Sequence, residues 1–192
     1  MTRLRALAGA AAAVLVVSAC GHDRKSAALL EQADAILSAN RPAEALPLAK
    51  EYLLRHPDDA SAHYLLGACY RAVSPPQLTL ADGELETALA CFERTGRRGA
   101  LKRFDNDRDF QLFAHRGRAL VAFAWLHRAM DRGVRREYLV KLAGQCLAHV
   151  DAGLRLDPKH AELQEMKETL EVLLKKRPPE SRPAPPAPGI AV

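Results

Sequence analysis

Apolar residues recur every three or four positions along most of this 192-residue chain. Such spacing puts apolar side chains on one side of an α-helix, whereas a half-buried β-strand alternates apolar and polar residues at every second position. Two successive stripes open the pattern: Leu29, Ala33 and Ile36, followed by Ala45, Leu48, Ala49 and Tyr52. Because no run of β-branched residues interrupts the pattern after residue 19, the sequence predicts an all-α protein.

The boundary between the first two predicted helices lies at Asn40-Arg41-Pro42. Asparagine tolerates the left-handed conformation that often ends a helix, and proline suits the first turn of the next one. The second helix is expected to end at His56-Pro57-Asp58-Asp59, since proline cannot continue a helix. Residues 26–57 are therefore predicted to form two helices joined by a tight turn.

A second unit has a regular spacing of small and large side chains. It contains His63-x-x-Leu66-Gly67-x-x-Tyr70 and then Ala88-x-x-x-Phe92. Gly67 and Ala88 lack bulk, so two antiparallel helices can approach closely there, with the aromatic residues filling the flanks. This pattern resembles the tetratricopeptide (TPR) repeat. The resemblance implies a TPR-like α-solenoid of antiparallel helix pairs.

A third stretch with repeat spacing runs from Cys146 to Pro158 and closes on Leu-Asp-Pro. The positions that match the repeat signature are Leu66, Gly67, Tyr70, Ala88 and Phe92, with Pro57 and Pro158 as closing prolines. The resemblance covers residues 26–176. It implies about three degenerate repeats followed by a capping helix from Ala161 to Lys176.

The chain departs from the repeat pattern at several points. The second unit carries an insertion from Val73 to Gly83, and Thr95-Gly96-Arg97-Arg98-Gly99 stands where its closing proline is expected. The first helix of the third unit, roughly Arg108 to Asp131, is longer than a standard repeat helix. These departures predict non-standard helix lengths, and an unrelated helical array is the alternative interpretation.

Residues 1–19 have the layout of a bacterial export signal. Arg3 and Arg5 precede an apolar stretch over residues 6–19 that is too short to span a bilayer. It ends in Val17-Ser18-Ala19-Cys20, which resembles the lipobox of bacterial lipoproteins. The resemblance implies removal of residues 1–19, lipidation of Cys20 and a short lipidated tether over residues 20–25. An ordinary secretory signal that happens to end at a cysteine is the alternative.

The implied localisation is export and attachment to the envelope through the lipid. Under the sorting rule of enteric bacteria, Gly21 after the lipidated cysteine favours the periplasmic face of the outer membrane over the inner membrane. The formal net charge of the whole chain is +5. This excess is mild, and Arg3 and Arg5 belong to the predicted signal, so nucleic acid is not a predicted partner.

Three cysteines remain after Cys20: Cys69, Cys91 and Cys146. An odd number cannot form a closed disulfide framework. Each lies within an apolar helical pattern, where a thiol usually packs as a small core residue. A bridge between Cys69 and Cys91 is the alternative in an oxidising compartment.

The sequence predicts neither an enzyme nor a cofactor or metal site. It has no His-Glu-x-x-His, nucleophile elbow or phosphate-binding glycine loop. His63 is interpreted as a packed substitute for the usual aromatic rather than as a ligand. Residues 105–109 resemble the start of a calcium loop, but Phe110 replaces the required glycine and Arg116 the bidentate glutamate. An acidic cluster that caps the following helix is the preferred interpretation.

Residues 94–103 contain five basic side chains: Arg94, Arg97, Arg98, Lys102 and Arg103. We consider two interpretations, contact with anionic lipid headgroups and a solvated loop, and favour the solvated loop. The tail, residues 177–192, is rich in proline and has no core-forming pattern. It is predicted to be disordered, serving as a spacer or, alternatively, as a ligand for another module.

A helical solenoid offers a groove lined by the first helix of each pair, which suits an extended peptide or a helix of a partner. The predicted partner-binding groove consists of Asp34, Leu37, Tyr64, Ala68, Arg71, Gln111 and Arg118. The sequence thus predicts a lipid-anchored, non-enzymatic adaptor for a protein or peptide of an envelope complex, in envelope assembly, secretion or pilus-type machinery. An accessory regulator of a peptidoglycan-active or other envelope enzyme is the alternative. Self-association through terminal repeats is also considered.

Overall fold

The computed structural model describes residues 25–175, which form seven helices and no strand. The prediction of an all-α protein is confirmed for this part of the chain. The predicted signal over residues 1–19, the lipidated Cys20 and the tail over residues 177–192 lie outside the described residues. Of the predicted tether, only residue 25 is described, and it is already helical.

The helices follow one another with short connections, except before the fifth. The first helix, α1, extends to residue 38. It is followed by α2 (Pro42–Leu53), α3 (Ala60–Ala72), α4 (Leu78–Thr95), α5 (Asp107–Asp131), α6 (Arg136–Leu156) and α7 (Ala161–Lys175). From α2 to α7 each helix packs against the next one, and α3 also contacts α5. Neighbours in sequence are therefore neighbours in space.

The turn between α1 and α2 forms as predicted. Asn40 adopts a positive φ of 58°, the left-handed conformation that asparagine tolerates better than most residues. Pro42 begins α2, where its missing N–H would have no partner in the helix. The two signals that marked this boundary in the sequence thus have a direct structural cause.

Gly67 permits the close approach of α3 and α4. A Cβ atom at this position would lie 2.8 Å from Leu85 Cγ and 3.0 Å from the carbonyl oxygen of Ala81. Any larger residue would force the two helices apart or displace Leu85. The predicted close packing at this signature glycine is confirmed.

The segment from Val73 to Gly83, interpreted as an insertion into the repeat pattern, is helical in its second half. α4 begins at Leu78, so Gly83 lies inside the helix. Leu78, Ala81 and Leu85 are buried at helical spacing, and this burial outweighs the low helix propensity of one glycine. The irregular segment is confined to residues 73–77.

Two hydrophobic clusters meet on α5. The first unites α1 to α4 with Phe110, Ala114 and Val121 of α5. The second unites α6 and α7 with Ala119 and Leu126, on another side of α5. α5 is 25 residues long and contributes side chains to both clusters. The predicted long helix in the third unit is confirmed.

The connection between α4 and α5, residues 96–106, is packed rather than merely solvated. Leu101 and Phe104 in this loop are each 1% exposed and belong to the first cluster. Phe104 contacts the ring of Phe110 with centroids 5.4 Å apart. The solvated-loop interpretation of residues 94–103 concerned their basic side chains, of which Arg94, Arg97, Lys102 and Arg103 are exposed. Leu101 inside this segment and Phe104 just after it are instead core residues, because the loop closes one end of the core.

The three cysteines among residues 25–175 are buried and unpaired. Cys69 lies in the first cluster and Cys146 in the second. Burial raises the pKa of each of these two thiols to about 12, which keeps them protonated and poorly reactive. The interpretation of the cysteines as core residues is confirmed, and the alternative Cys69–Cys91 bridge is not formed.

The helices define two ends of the stack. At the near end, loop 96–106 lies beside the middle of α1, since the backbone N–H of Lys102 donates to Glu31 Oε1 at 2.8 Å. The start of α5 meets the end of α6 there, where Arg108 Nε donates to the carbonyl oxygen of Leu156 at 2.7 Å. At the far end, the last turn of α5 approaches the α3–α4 connection. The α5–α6 turn and the end of α7 lie on this far end, because successive helices run antiparallel.

Candidate partner-binding face

Tyr64 forms the floor of the face that α1, α3 and α5 share. Its side chain is only 7% exposed. Its ring packs edge-on against Phe104 of the loop, with centroids 5.2 Å apart, and against Phe113 of α5 at 6.5 Å. Burial raises the pKa of the Tyr64 hydroxyl, and the nearby arginines partly oppose that rise. Tyr64 thus acts mainly in packing, with little surface for a partner.

Charged side chains surround this aromatic floor. Arg103 Nη1 lies 2.6 Å from Asp34 Oδ1, and the two side chains are 32% and 15% exposed. Burial raises the pKa of Asp34, whereas the positive charge of Arg103 lowers it. On α5, Arg116 forms an ion pair with Glu162 of α7. The face is therefore half-buried, polar and crossed by ion pairs between elements distant in sequence.

Arg71 is the cation of this face without an ion-pair partner among residues 25–175. Ala68 follows Tyr64 by four residues and Arg71 follows it by seven. At this spacing, all three residues lie on one side of α3. The charge of Arg71 acts on the Tyr64 hydroxyl. Leu37 lies one turn after Asp34 on α1 and packs against the first cluster.

The structure brings five of the seven predicted groove residues to this face and separates two. Arg118 Nε lies 3.0 Å from Asp82 Oδ1, and its guanidinium is 3.6 Å from Glu86, both on α4. Five residues along a helix correspond to a rotation of about 140°, so Arg118 and Phe113 point to different sides. Gln111 is two turns before Arg118 and shares its side. The predicted set does not form one surface.

The contribution of α5 to the face is instead Phe113 and Arg116, which the sequence analysis missed. Phe113 contacts Tyr64, and Arg116 pairs with Glu162. The signal available in the sequence was the spacing of Phe113 from the core residue Phe110. Loop residue Arg103 was recognised as basic but not as a neighbour of Asp34, because no local pattern links residues so far apart.

Arg118 lies in a separate small cavity of about 140 Å³ between α4, α5 and α6. Trp125, Gln145 and His149 line it together with Asp82. His149 stacks on His115 with ring centroids 6.0 Å apart. Burial, then the charge of Arg118, lowers the pKa of His149 to about 4. The pKa of His115 is lowered by the same two causes, in that order.

His63 bridges two elements by hydrogen bonds. Its Nδ1 lies 2.7 Å from Glu84 Oε2 on α4, and its Nε2 lies 2.9 Å from the carbonyl oxygen of Pro57. Both neighbours are acceptors, so the doubly protonated imidazolium satisfies both contacts. These contacts outweigh the effect of burial and raise the pKa of His63. His63 is thus half-buried and connects α3 to α4 and to the α2–α3 connection.

Asn106 and the acids after it cap α5. The side chain of Asn106 accepts a hydrogen bond from the backbone N–H of Asp109 at 3.0 Å, and Asp107 and Asp109 lie in the first turn. This is the arrangement expected for an acidic cluster at a helix start. Within the described residues, no three His, Cys, Asp or Glu side chains are grouped so as to hold a metal ion.

Most of the basic side chains in residues 94–103 lie against acids. Arg94 pairs with Asp58 at 2.7 Å, Arg98 lies 3.5 Å from Asp107, and Arg103 pairs with Asp34. A wide cleft of about 930 Å³ lies at the near end, where Arg97 and Arg98 of this segment line it together with Asp58, Asp59 and Asp107. Because these charges are largely compensated, the cleft is not strongly basic.

None of the helices in the described part of the chain is long and apolar enough to cross a membrane. Comparison with protein-family models, with curated proteins and with solved structures finds no match. The functional argument therefore depends on the residues and geometry of this chain.

Proposed function

We propose that this chain is a non-enzymatic, lipid-anchored adaptor whose TPR-like helix pairs hold a partner protein at a membrane of the bacterial envelope. The observation that supports it best is the face on α1, α3 and α5. There, half-buried charges surround an aromatic floor, and Arg71 has no carboxylate partner. A surface of this kind suits a peptide segment that supplies a carboxylate and apolar side chains.

The order of helix contacts supports a TPR-like arrangement. α3 with α4 and α5 with α6 form two contacting pairs, and α7 packs on α6. By chain order, α1 and α2, joined by the turn at Asn40, make the first pair. In a solenoid of pairs, the first helices of successive pairs touch, and α3 contacts α5 in this way. Gly153 gives α6 and α7 a close approach, since a Cβ there would lie 2.5 Å from Leu163 Cδ1.

The lipobox Val17-Ser18-Ala19-Cys20 supports the anchor. With lipid on Cys20, the near end of the stack is held close to the membrane, because residue 25 is already helical. A five-residue tether spans at most roughly 18 Å when extended. Acyl chains on Cys20 supply membrane affinity without any spanning helix. We place the protein at the periplasmic face of the outer membrane, following Gly21.

Reversing the charge at Arg71 is expected to release the partner. Arg71→Glu puts a carboxylate where the bound segment needs a cation, so recovery of crosslinked partners from intact cells should fall at least about tenfold. Arg55→Glu is the matched control, since Arg55 is exposed and lies at the α2–α3 connection. Equal recovery with Arg71→Glu and wild type would remove the proposed face. A recovered partner that is a peptidoglycan-active enzyme would favour the regulator over the adaptor.

Loss of Cys20 is expected to detach the protein from the membrane. Cys20→Ala leaves no thiol to acylate, so cell fractionation should move the chain from the membrane to the soluble fraction. Circular dichroism of the variant should still show a helical protein, because Cys20 precedes the helices. Retention in the membrane fraction after a carbonate wash would contradict lipid anchoring.

A further inference from the structure

An apolar groove lies at the far end of the stack, away from the partner-binding face. It has a volume of about 370 Å³. Its walls come from the end of α5, the start of α6 and the last turns of α7. The apolar side chains that line it are Met130, Leu139, Val140, Val172 and Leu173.

The groove concentrates the exposed apolar surface of the stack. Met130 is 45% exposed, Val140 38% and Val172 55%. Only six large hydrophobic side chains among residues 25–175 are exposed, and three of them line this one groove. A single exposed apolar side chain is ordinary, but a cluster around a concavity marks an interaction site.

One edge of the groove is formed by the α5–α6 turn and the start of α6, residues 130–141, and is called the α5–α6 bank. This edge is positively charged. Residues 130–141 hold Arg132, Arg135, Arg136 and Lys141 against two carboxylates, Asp131 and Glu137. Within the described residues, Arg132, Arg135 and Lys141 have no ion-pair partner. On the α7 bank, Glu171 is paired with Lys175 at 3.2 Å. The groove is thus apolar along its floor and cationic along one edge.

We propose that this groove docks an acidic amphipathic segment of a partner protein, with apolar side chains in the groove and carboxylates along the α5–α6 bank. This is a second docking surface, separate from the α1–α3–α5 face. A segment with such a pattern matches both the floor and the charged edge, as in the helix-in-groove mode of recognition.

Charge disfavours two other occupants. A second copy of this chain would bring its own cationic bank against the first, which costs free energy. α7 ends beside the groove, but residues 176–192, which follow it in sequence, carry three cations, Lys176, Arg177 and Arg182, against Glu180. An anionic membrane is also disfavoured as the occupant. The groove lies at the end of the stack opposite the proposed Cys20 anchor, so it faces away from the membrane surface. Only this last point depends on the proposed anchoring.

A designed peptide tests the proposal with the full chain carrying Cys20→Ala. The probe is a fluorescent helical peptide of about 18 residues, with leucines on one side and glutamates along the other. Anisotropy should show saturable binding to this chain. Val140→Glu and Val172→Glu should each weaken binding at least about tenfold, because a carboxylate enters the apolar floor. Leu54→Glu is the matched control: Leu54 is 84% exposed and far from the groove, so binding should be unchanged.

Four outcomes would overturn the proposal. The first is no saturable binding of the acidic peptide, and the second is equal binding of the same peptide with lysines for glutamates. The third is tighter peptide binding after deletion of residues 177–192, which identifies the tail as the occupant. The fourth is loss of dimers or of binding to anionic phospholipid vesicles on Val140→Glu, which identifies a second copy or a membrane. None of these arms uses Arg71, so the outcome is independent of the partner-binding face.

Discussion

Replacement of Asp59 with alanine is expected to lower the free energy of unfolding by about 3 kcal/mol. One carboxylate here connects three parts of the chain. Asp59 Oδ1 accepts hydrogen bonds from Ser61 Oγ at 2.7 Å and from the backbone N–H of Ala62 at 3.0 Å, which caps α3. Asp59 Oδ2 accepts from Tyr52 Oη of α2 at 2.7 Å and from the backbone N–H of Ala100 at 2.9 Å.

The loss is large because the donors left behind are partly buried. Ser61 is itself buried, and its Oγ accepts a hydrogen bond from the backbone N–H of Leu101 at 3.0 Å. The loop that covers the core therefore depends on Asp59 through Ser61 as well. Gly99 must be a glycine for this contact, since its φ is 103° and a Cβ would lie 1.9 Å from Asp59 Oδ1. Removal of the carboxylate therefore weakens the α3 cap and the loop together.

Urea denaturation followed by circular dichroism measures this change. The neighbouring Asp58 offers a matched control, because it carries the same charge but sits in an exposed ion pair with Arg94. Asp58→Ala should change stability far less than Asp59→Ala. Asp59→Asn should fall between wild type and Asp59→Ala, since an amide keeps one acceptor oxygen. If the two alanine variants unfold at the same urea concentration, Asp59 does not organise the loop.

Acidification is expected to destabilise the stack by on the order of 2 kcal/mol between pH 7 and pH 4.5, through the stacked imidazoles of His115 and His149. Burial lowers the pKa of both groups, that of His149 from 6.5 to about 4. Arg118 adds to the effect on both, and Arg155 on His115, whereas Asp82 and Glu93 on α4 oppose it. In addition, His115 Nδ1 is buried with no hydrogen-bond partner among residues 25–175.

The sign of this change in stability follows from the protons that the chain takes up on unfolding. Above pH 6.5, both imidazoles are neutral in the folded and the unfolded chain, and their contribution to stability is complete. As the pH falls from 6.5 toward 4, the unfolded chain binds protons that the folded chain excludes, so stability is lost. His63 acts in the opposite sense: its pKa is raised, so its contribution is complete below pH 6.5 and is lost as the pH rises through the folded value.

Thermal unfolding across pH 4.5 to 7.5 tests this prediction. Between pH 7 and pH 4.5, the double variant His115→Gln, His149→Gln should lose less stability than wild type. His127→Gln is the control, because His127 is exposed on α5 and its substitution should leave the slope unchanged. An unaltered acid slope in the double variant would assign the loss to other groups.

The features predicted well from the sequence are those with a local physical cause. The turn at Asn40 and Pro42 depends on two adjacent residues, and the packing at Gly67 depends on one residue and its absent side chain. The length of α5 follows from apolar spacing alone. In each case the cause lies within a few residues, where periodicity and backbone preference are informative.

The features that were missed depend on long-range contacts. Leu101 and Phe104 lie in a loop with no periodicity, and they are core residues because the α1–α3–α5 surface needs a cover there. Gln111 and Arg118 were assigned to the groove from sequence spacing, but the side a residue occupies depends on how α5 is rotated against α4. α4 begins within the segment from Val73 to Gly83, because the burial of three apolar residues outweighs one glycine.

The tie between α1 and loop 96–106 has a mechanical consequence. Lys102 N–H is bonded to Glu31, and Arg103 is paired with Asp34, about 70 residues apart in sequence. A load applied to the N-terminal end therefore reaches the middle of the chain directly, rather than passing through one helix pair after another. α1 cannot peel away without also pulling on the loop that Asp59 holds. Under tension we therefore expect the first four helices and this loop, which share one hydrophobic cluster, to unfold together.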